Sequence, residues 1–484
     1  MIGITSYGVY LPRYRMERKV IQQNIGWFHY GSPKGEKAVQ NYDEDSITMA
    51  YEAAKNCLIL SDLSNVGGVY LASLSLPFSV RQNSVIVSEA LNLREDIRSA
   101  DFTSSLQCGT NALLSGLETV GAGNAEELVV CASDARIAKP GSDQEYKWGD
   151  GAAALCVGKD GVIAEYKGSY SIGKDFIDAR MTDFENFERN WESRWVRDEG
   201  YLKIIPDAIR GLLERTRTKI SDYTKICIAC TDSSAIKSIA KDLQLSSDQI
   251  CDNFVNVVGD TGSAMPIFMV ASALEKSESG DIIMLVSFGY GAQAVAFQVT
   301  DNIENAKRKC LGVEHMISRR TPLQDYTKYL AFKGLINLDV GIRGEGVAPT
   351  ALSVIYREGR SVSALEGVCC KACGMPQFPK HKVCVNPECN ESGQMVPYTF
   401  ADKKGEVISY TADSLASSLD PPQLYGIVDF KGGGRIMLDI TDCAKESLQV
   451  GMYVEMAFRR KYIDRERGHY VYFWKAIPIY SKGE

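Results

Sequence analysis

The chain has 484 residues, enough for about three domains of roughly 150 residues each, and it can bury sizeable cores without disulfide staples. With 54 Lys and Arg against 61 Asp and Glu, its formal charge of −7 argues against a protein that coats nucleic acid or an anionic membrane, though not against a local basic mouth. A composition of 45% hydrophobic and 24% charged residues is that of folded globular chains, not of disordered ones.

The opening run MIGITSYGVYLPRYR reads as a strand entering a turn and lacks the three regions of a signal peptide. From there to about residue 300, short β-branched runs alternate with longer amphipathic segments. Helices are expected over 46–60, 109–120, 205–217, 234–243 and 264–277, and strands over 66–73, 127–133, 225–231 and 281–289. Such alternation predicts an α/β architecture. Its recurrence after about 150 residues predicts two duplicated halves, 1–165 and 166–345, the second ending in a charged helical extension from 301. The most apolar stretches, 263–274 and 282–297, are too short and too interrupted by Gly or Pro to span a bilayer, so no membrane association is expected. Beyond 346 a cysteine-rich segment, 346–395, precedes several short strands within 396–484, the pattern of a small all-β barrel.

Five of the 14 cysteines crowd into 369–389 and nine are scattered singly, which suits a reducing cytoplasm and one metal cluster. Cys370 and Cys373 form C-x2-C, and Cys384 and Cys389 form C-x4-C ten residues on. Two such knuckles let four thiolates close on zinc with no open position, so a structural zinc ribbon is predicted; Cys369 with Cys373 is the alternative first pair. This segment and the run DPPQLYGIVDFKGGGR resemble the zinc-ribbon/OB-fold family that accompanies thiolase-like enzymes. An OB-fold gripping single-stranded nucleic acid needs a basic groove with stacking aromatics. Arg459, Arg460, Lys461 and Tyr462 are read instead as a solvated, charged rim, and no nucleic-acid partner is expected.

In the first part, SLQCGTNALLSGLE sets Cys108 just before a helix of small residues. Backbone N–H groups and the helix dipole there are expected to lower the thiol's pKa, and Gly109 to let a ligand approach the backbone. The run KWGDGAAALCVG lets strands pack closely beside a cleft, and SFGYGAQAVAF is a strand ending in a Gly-X-Gly turn able to aim an N–H at an oxyanion. Together with GEKAVQNYDEDSITMAYEAAKNCL at 35–58, these motifs resemble the thiolase superfamily, in its 3-hydroxy-3-methylglutaryl-CoA synthase branch. The resemblance implies a five-layered αβαβα fold of two duplicated halves, homodimerisation, and acyl-CoA chemistry in which Cys108 carries the acyl group as a thioester. The N–H groups of Cys108 and Tyr290 would form the oxyanion hole, and Lys203 would stand at the CoA entrance.

The chain departs from that branch at three positions, one of them Gly259-Asp260-Thr261 where the branch has Gly-Asn-Thr. Leu74 in SLSLPFSVRQ takes the place of the catalytic glutamate, and ACTD at 229–232 the place of the histidine; the four histidines, His29, His315, His381 and His469, lie elsewhere. Asp260, Asp232 and Tyr290 are the candidates to replace them, against the plainer readings of a turn hydrogen bond for Asp260, a helix cap for Asp232 and a packed ring for Tyr290. The expected activity is acyl transfer by Claisen-type condensation or its thiolytic reverse. The alternatives are an acyl-CoA aldolase or retro-aldol lyase without covalent cysteine chemistry, and a non-catalytic scaffold that binds acyl-CoA or a partner enzyme subunit.

Overall fold

The protein is described from a computed structural model over residues 1–28, 34–339, 341 and 349–479. Its contacts divide into two units, one formed by Met1–Asn41, Asp45–Val87 and Leu93–Tyr329, the other by Tyr42–Glu44, Ser88–Asn92 and Leu330–Glu484. The expected boundary at 345/346 and His29 fall outside the described residues.

Strands and helices alternate in the first unit, where β3 and β6 add to the elements expected from the sequence: β1 (Gly3–Tyr10), α1 (Ser46–Cys57), β2 (Val66–Ala72), β3 (Arg98–Phe102), α2 (Cys108–Gly121), β4 (Glu127–Asp134) and β5 (Gly151–Gly158), then β6 (Ala164–Gly173), α3 (Leu202–Thr216), β7 (Lys225–Ala229), α4 (Ser233–Asp242), α5 (Met265–Glu275), β8 (Ile282–Phe288) and β9 (Gly291–Val299). The nine strands run in the order β7-β8-β9-β6-β1-β5-β4-β2-β3. The junction between β1 and β6 consists of two residue pairs, Gly3 with Glu165 and Ile4 with Ala164. On either side of it the order repeats: β1-β5-β4-β2 matches β6-β9-β8-β7, with β4 parallel to β2 and β8 parallel to β7.

Helix α1 packs on β1, β4 and β5, α3 on β6, β8 and β9, and α2 and α5 meet in the middle, α5 touching strands of both halves. These are the five layers of the thiolase-like fold. Burial explains the assignment. Every residue of α5 from Met265 to Leu274 is buried, as a central layer requires, whereas α3 buries one stripe, Ile204, Ile205, Ala208, Ile209 and Leu212. Each large apolar side chain so enclosed contributes about 1.5–3 kcal/mol. The alanines of GAAALCVG are fully buried, which lets β5 run between β1 and β4 with helices on both faces. The segment after 300 forms short helices over Ile303–Lys309, Val313–Ser318 and Tyr326–Phe332.

The second unit holds a three-stranded sheet, β10 (Glu366–Cys370), β11 (Pro376–Gln377) and β12 (Met395–Thr399), and a closed barrel of β13 (Gly405–Asp413), β14 (Gln423–Phe430), β15 (Arg435–Ile440), β16 (Tyr453–Asp464) and β17 (His469–Pro478). Strict alternation turns Leu424, Val428 and Phe430 and Ile436, Leu438 and Ile440 inward. One expectation fails here. Arg459 does not belong to a solvated rim: it is fully buried and pairs with Asp442 at 3.0 Å and Glu44 at 3.7 Å, on the face of β16 opposite the inward Val454, Met456 and Phe458.

Candidate active site

The heads of α2 and α5 meet in the central layer, and the geometry there starts from a glycine. A Cβ on Gly109 would stand 2.2 Å from the carbonyl oxygen of Ser263, so α2 seats against the turn entering α5 only because that residue has no side chain. The sequence reading gave Gly109 a ligand to accommodate; the structure gives it Ser263. From this turn the N–H and hydroxyl of Ser263 donate to one oxygen of Asp134, at 2.7 and 2.8 Å. The other oxygen accepts from the Ser73 hydroxyl (3.0 Å), the Leu74 N–H (2.7 Å) and the Ser75 hydroxyl (3.1 Å). The segment with leucine in the glutamate position is thus tied to a buried aspartate at the end of β4.

Cys108, the first residue of α2, is 1% exposed. Burial, then the charge of Asp134, pushes its thiol up; the Ser263 hydroxyl and the N–H groups of Gly109 and Cys108 oppose this and lose. The expected lowering is therefore corrected: desolvation of a thiolate in a dry corner outweighs the helix terminus. Burial likewise raises the Asp134 carboxyl.

The SFGYG turn clamps the loop before Cys108. A Cβ on Gly289 would lie 2.9 Å from the Ser105 hydroxyl and 3.1 Å from the Gln107 nitrogen, and that hydroxyl donates to the Gly289 carbonyl at 3.1 Å. Tyr290 adopts a left-handed backbone (φ 53°), a strain of about 1–3 kcal/mol that the surrounding clamp sustains. Its phenol donates to the Ala179 carbonyl at 2.6 Å. The Cys108 N–H, expected in the oxyanion hole, donates to the Ser105 carbonyl at 2.9 Å.

Beside this corner lies a cavity of about 740 Å³ whose walls include Leu106, Arg136, Glu188, Cys230, Asp232 and Asp260. The volume is that of a small-molecule site. Asp260 forms an ion pair with Arg136 at 2.8 Å, and its other oxygen accepts from the Gly262 N–H at 2.8 Å. The Arg136 guanidinium lies 4.2 Å over the Trp148 ring. The KWGDG run holds Asp260 through its backbone: the Gly149 N–H donates to the Asp260 carbonyl (3.0 Å) and the Asp260 N–H to that of Lys147 (2.8 Å). Asp232 is the N-cap of α4, accepting from the N–H groups of Ser234 and Ala235 at 2.8 and 3.1 Å. Cys230, in the ACTD stretch, is buried, and burial pushes its thiol up to about 12. Lys203 is exposed, pairs with Glu199 at 2.5 Å and is not part of the cavity wall. Nor are His315, His381 and His469.

The structure therefore sets Asp232 and Asp260 on one cavity, with Cys108 two residues beyond the lining Leu106, and leaves Lys203 outside. Sequence reasoning passed over Asp134, Arg136 and Glu188. The first two had a signal, since CASDAR ends a predicted strand and strand C-termini line the ligand crevices of α/β sheets.

In the second unit, the sulfurs of Cys370, Cys373, Cys384 and Cys389 lie within 4.8 Å of one another, with Cys370 to Cys389 at 3.8 Å and Cys373 to Cys384 at 3.5 Å. Thiolates about 2.3 Å from a tetrahedral ion stand about 3.8 Å apart, so this donor set fits such an ion. The Cys369 sulfur turns instead toward the Cys370 carbonyl, at 3.8 Å.

Residues 213–300 match the family profile described as 3-oxoacyl-[acyl-carrier-protein (ACP)] synthase III C terminal, and residues 398–459 match that of the ChsH2 C-terminal OB-fold domain. The chain is 30% identical over 347 residues to the hydroxymethylglutaryl-CoA synthase of Methanocaldococcus jannaschii, covering 70% of this chain and 100% of that one. It is 31% identical over 348 residues to the enzyme of Methanosarcina mazei, covering 70% and 99%. In fold it is similar to an HMG-CoA synthase solved with CoA (TM-score 0.62, 20% identity, 71% of this chain and 92% of that one). It is also similar to the 3-oxoacyl-[acyl-carrier-protein] synthase III of Aquifex aeolicus (TM-score 0.56, 17% identity, 62% and 100%). A duplicated five-layer fold, a cysteine heading its central helix and this identity along whole relatives lead to one conclusion: the chain belongs to the hydroxymethylglutaryl-CoA synthase family of acyl-CoA condensing enzymes, and carries an added C-terminal OB-fold.

Proposed function

We propose that the protein forms or thiolytically breaks a carbon–carbon bond of an acyl-CoA through an acyl thioester on Cys108. The observation that carries this reading is the seating of Cys108 at the head of α2, against Ser263 and Asp134, with the SFGYG turn clamped on its loop and a 740 Å³ cavity beside it. Such a frame orients a nucleophile and an acyl carbon at fixed positions, the main entropic gain an enzyme offers. The Tyr290 N–H is the oxyanion donor in this reading, because the Cys108 N–H is engaged with Ser105. With Leu74 at the glutamate position and ACTD at 229–232 around the histidine position of the relatives' branch, the reaction in this reading differs from theirs in its acid and base.

The deciding experiment is intact-protein mass after incubation with acetyl-CoA and a panel of other acyl-CoAs, wild type against Cys108→Ala. A gain of one acyl group, absent from the variant, supports the thioester. No adduct despite demonstrable CoA binding overturns it in favour of aldol cleavage without covalent cysteine, a second reading that the raised Cys108 thiol supports.

For the second unit we propose a structural zinc held by Cys370, Cys373, Cys384 and Cys389, whose full ligand set leaves no position for substrate. Metal analysis should find one zinc per chain. Cys384→Ser or a chelator should unfold the ribbon, since binding to such sites is worth about 10–16 kcal/mol and is coupled to folding. A fully folded metal-free protein would refute it.

A further inference from the structure

Each carboxylate on the cavity wall but one is committed to a structural task. Asp260 is paired with Arg136 and holds its own turn, Asp232 caps α4, Asp178 accepts from the Ala179 N–H at 2.8 Å, and Asp143 faces Lys147 at 3.8 Å along one helical turn. Glu188 is the exception. It directly precedes the short strand Arg189–Asn190, it is partly buried, and among the described residues no hydrogen bond or ion pair holds its carboxyl.

The charged groups facing Glu188 come from several elements. Arg136 follows β4, Asp260 lies in the turn before α5, Asp134 ends β4 and Asp178 follows β6. Asp134 is also a charge that acts on Cys108. Burial first pushes the Glu188 carboxyl up to about 7; Arg136 opposes this, and Asp260, Asp134 and Asp178 add to the rise. A carboxyl that titrates near neutrality is suited to take a proton and return it within one turnover.

Resting on the cysteine-thioester reading, we propose that Glu188 is the catalytic acid and base of carbon–carbon bond formation, the role left open by the absent glutamate and histidine. The ionised Glu188 carboxylate takes the α-proton of the acceptor acyl-CoA. The electron pair of the broken C–H bond forms the new bond to the thioester carbonyl carbon on Cys108. The C–S bond then breaks, and the departing Cys108 thiolate recovers the proton from Glu188. The products are a 3-oxoacyl-CoA and the free thiol, and no oxidant or further reactant is needed. The Arg136–Asp260 pair is a positioning device: it fixes the cationic group that keeps Glu188 ionisable in a wall otherwise rich in acids.

The test uses the full chain, acetyl-CoA in deuterium oxide, and the variants Glu188→Gln and Glu188→Asp, each checked for native circular dichroism. Wild type should exchange the α-protons of acetyl-CoA, and Glu188→Gln should lose that exchange at least 100-fold, the low end for a general base. The kcat/KM of condensation should rise with pH through about 7 in wild type; Glu188→Asp should keep an acid limb at lower kcat, and Glu188→Gln should lose the limb. Exchange and pH profile unchanged in Glu188→Gln would overturn the proposal. An acyl adduct missing from wild type, with exchange still dependent on Glu188, would instead overturn the thioester reading and leave the base in place.

Discussion

The two halves of the first unit share strand order and helix placement, yet they end in unlike chemistry. The first half delivers a dry corner: Cys108 at the head of α2, and Asp134 saturated by five donors at the end of β4. Much of the second lines the cavity with polar groups, among them Asp232 before α4 and Asp260 before α5. Duplication preserved what burial dictates, the strands and the central helices. It left free the turns at the ends of those elements, where side chains face a cavity rather than a core. The contacts across the halves, Ser263 with Asp134 and Arg136 with Asp260, join the two chemistries into one site.

Breaking one of those contacts should have the largest effect on stability. Arg136→Met leaves Asp260 enclosed without its cation, and removing one partner of a buried pair costs about 3–5 kcal/mol. Chemical denaturation should show that loss. A variant within 1 kcal/mol of wild type would mean that the halves do not depend on this pair.

A pH series sharpens the comparison from the acidic side. Glu188 has a folded pKa of about 7 against about 4.3 when unfolded. The native state therefore binds the proton more tightly, so this contribution is complete below about pH 4.3 and is lost as pH rises through 7. Its size is about 4 kcal/mol. Between pH 5 and pH 8 wild type should lose more stability than Glu188→Gln; parallel curves would show that the carboxyl is not held up by its surroundings.

The smallest effect belongs to Asp232. Asp232→Ala removes the cap of α4 and should cost about 1 kcal/mol, while Asp232→Asn, which also caps, should cost a fraction of that. Equal losses would point to a charge-dependent role in the cavity.

The period of the apolar residues was enough to place the expected helices and strands of the first unit to within a few residues, though not β3 or β6, and the cysteine spacing was enough to single out the four sulfurs that cluster. Some features of the site were equally legible. Asp232, next to the helical run at 234–243, was open to a cap, and that is what it forms. Other features depended on distant partners. The expected reactivity of Cys108 follows from a helix terminus, a local property, but its thiol is governed by burial under both halves. Arg459 reads as a rim residue in the string FRRKY and is buried because Asp442 and Glu44, the latter far away in the chain, enclose it with opposite charge.

The sequence by itself determined the alternating α/β frame, the added barrel and the cluster of four cysteines, because periodicity, spacing and turn chemistry act over a few residues. Only the tertiary structure decided that Leu74 is tied to Asp134, that Arg136 serves Asp260, and that Glu188 stands uncommitted in the cavity. Electrostatic environment is set by which groups share a low-dielectric space, and residues 136, 188 and 260 come to share theirs only when the two halves fold against each other.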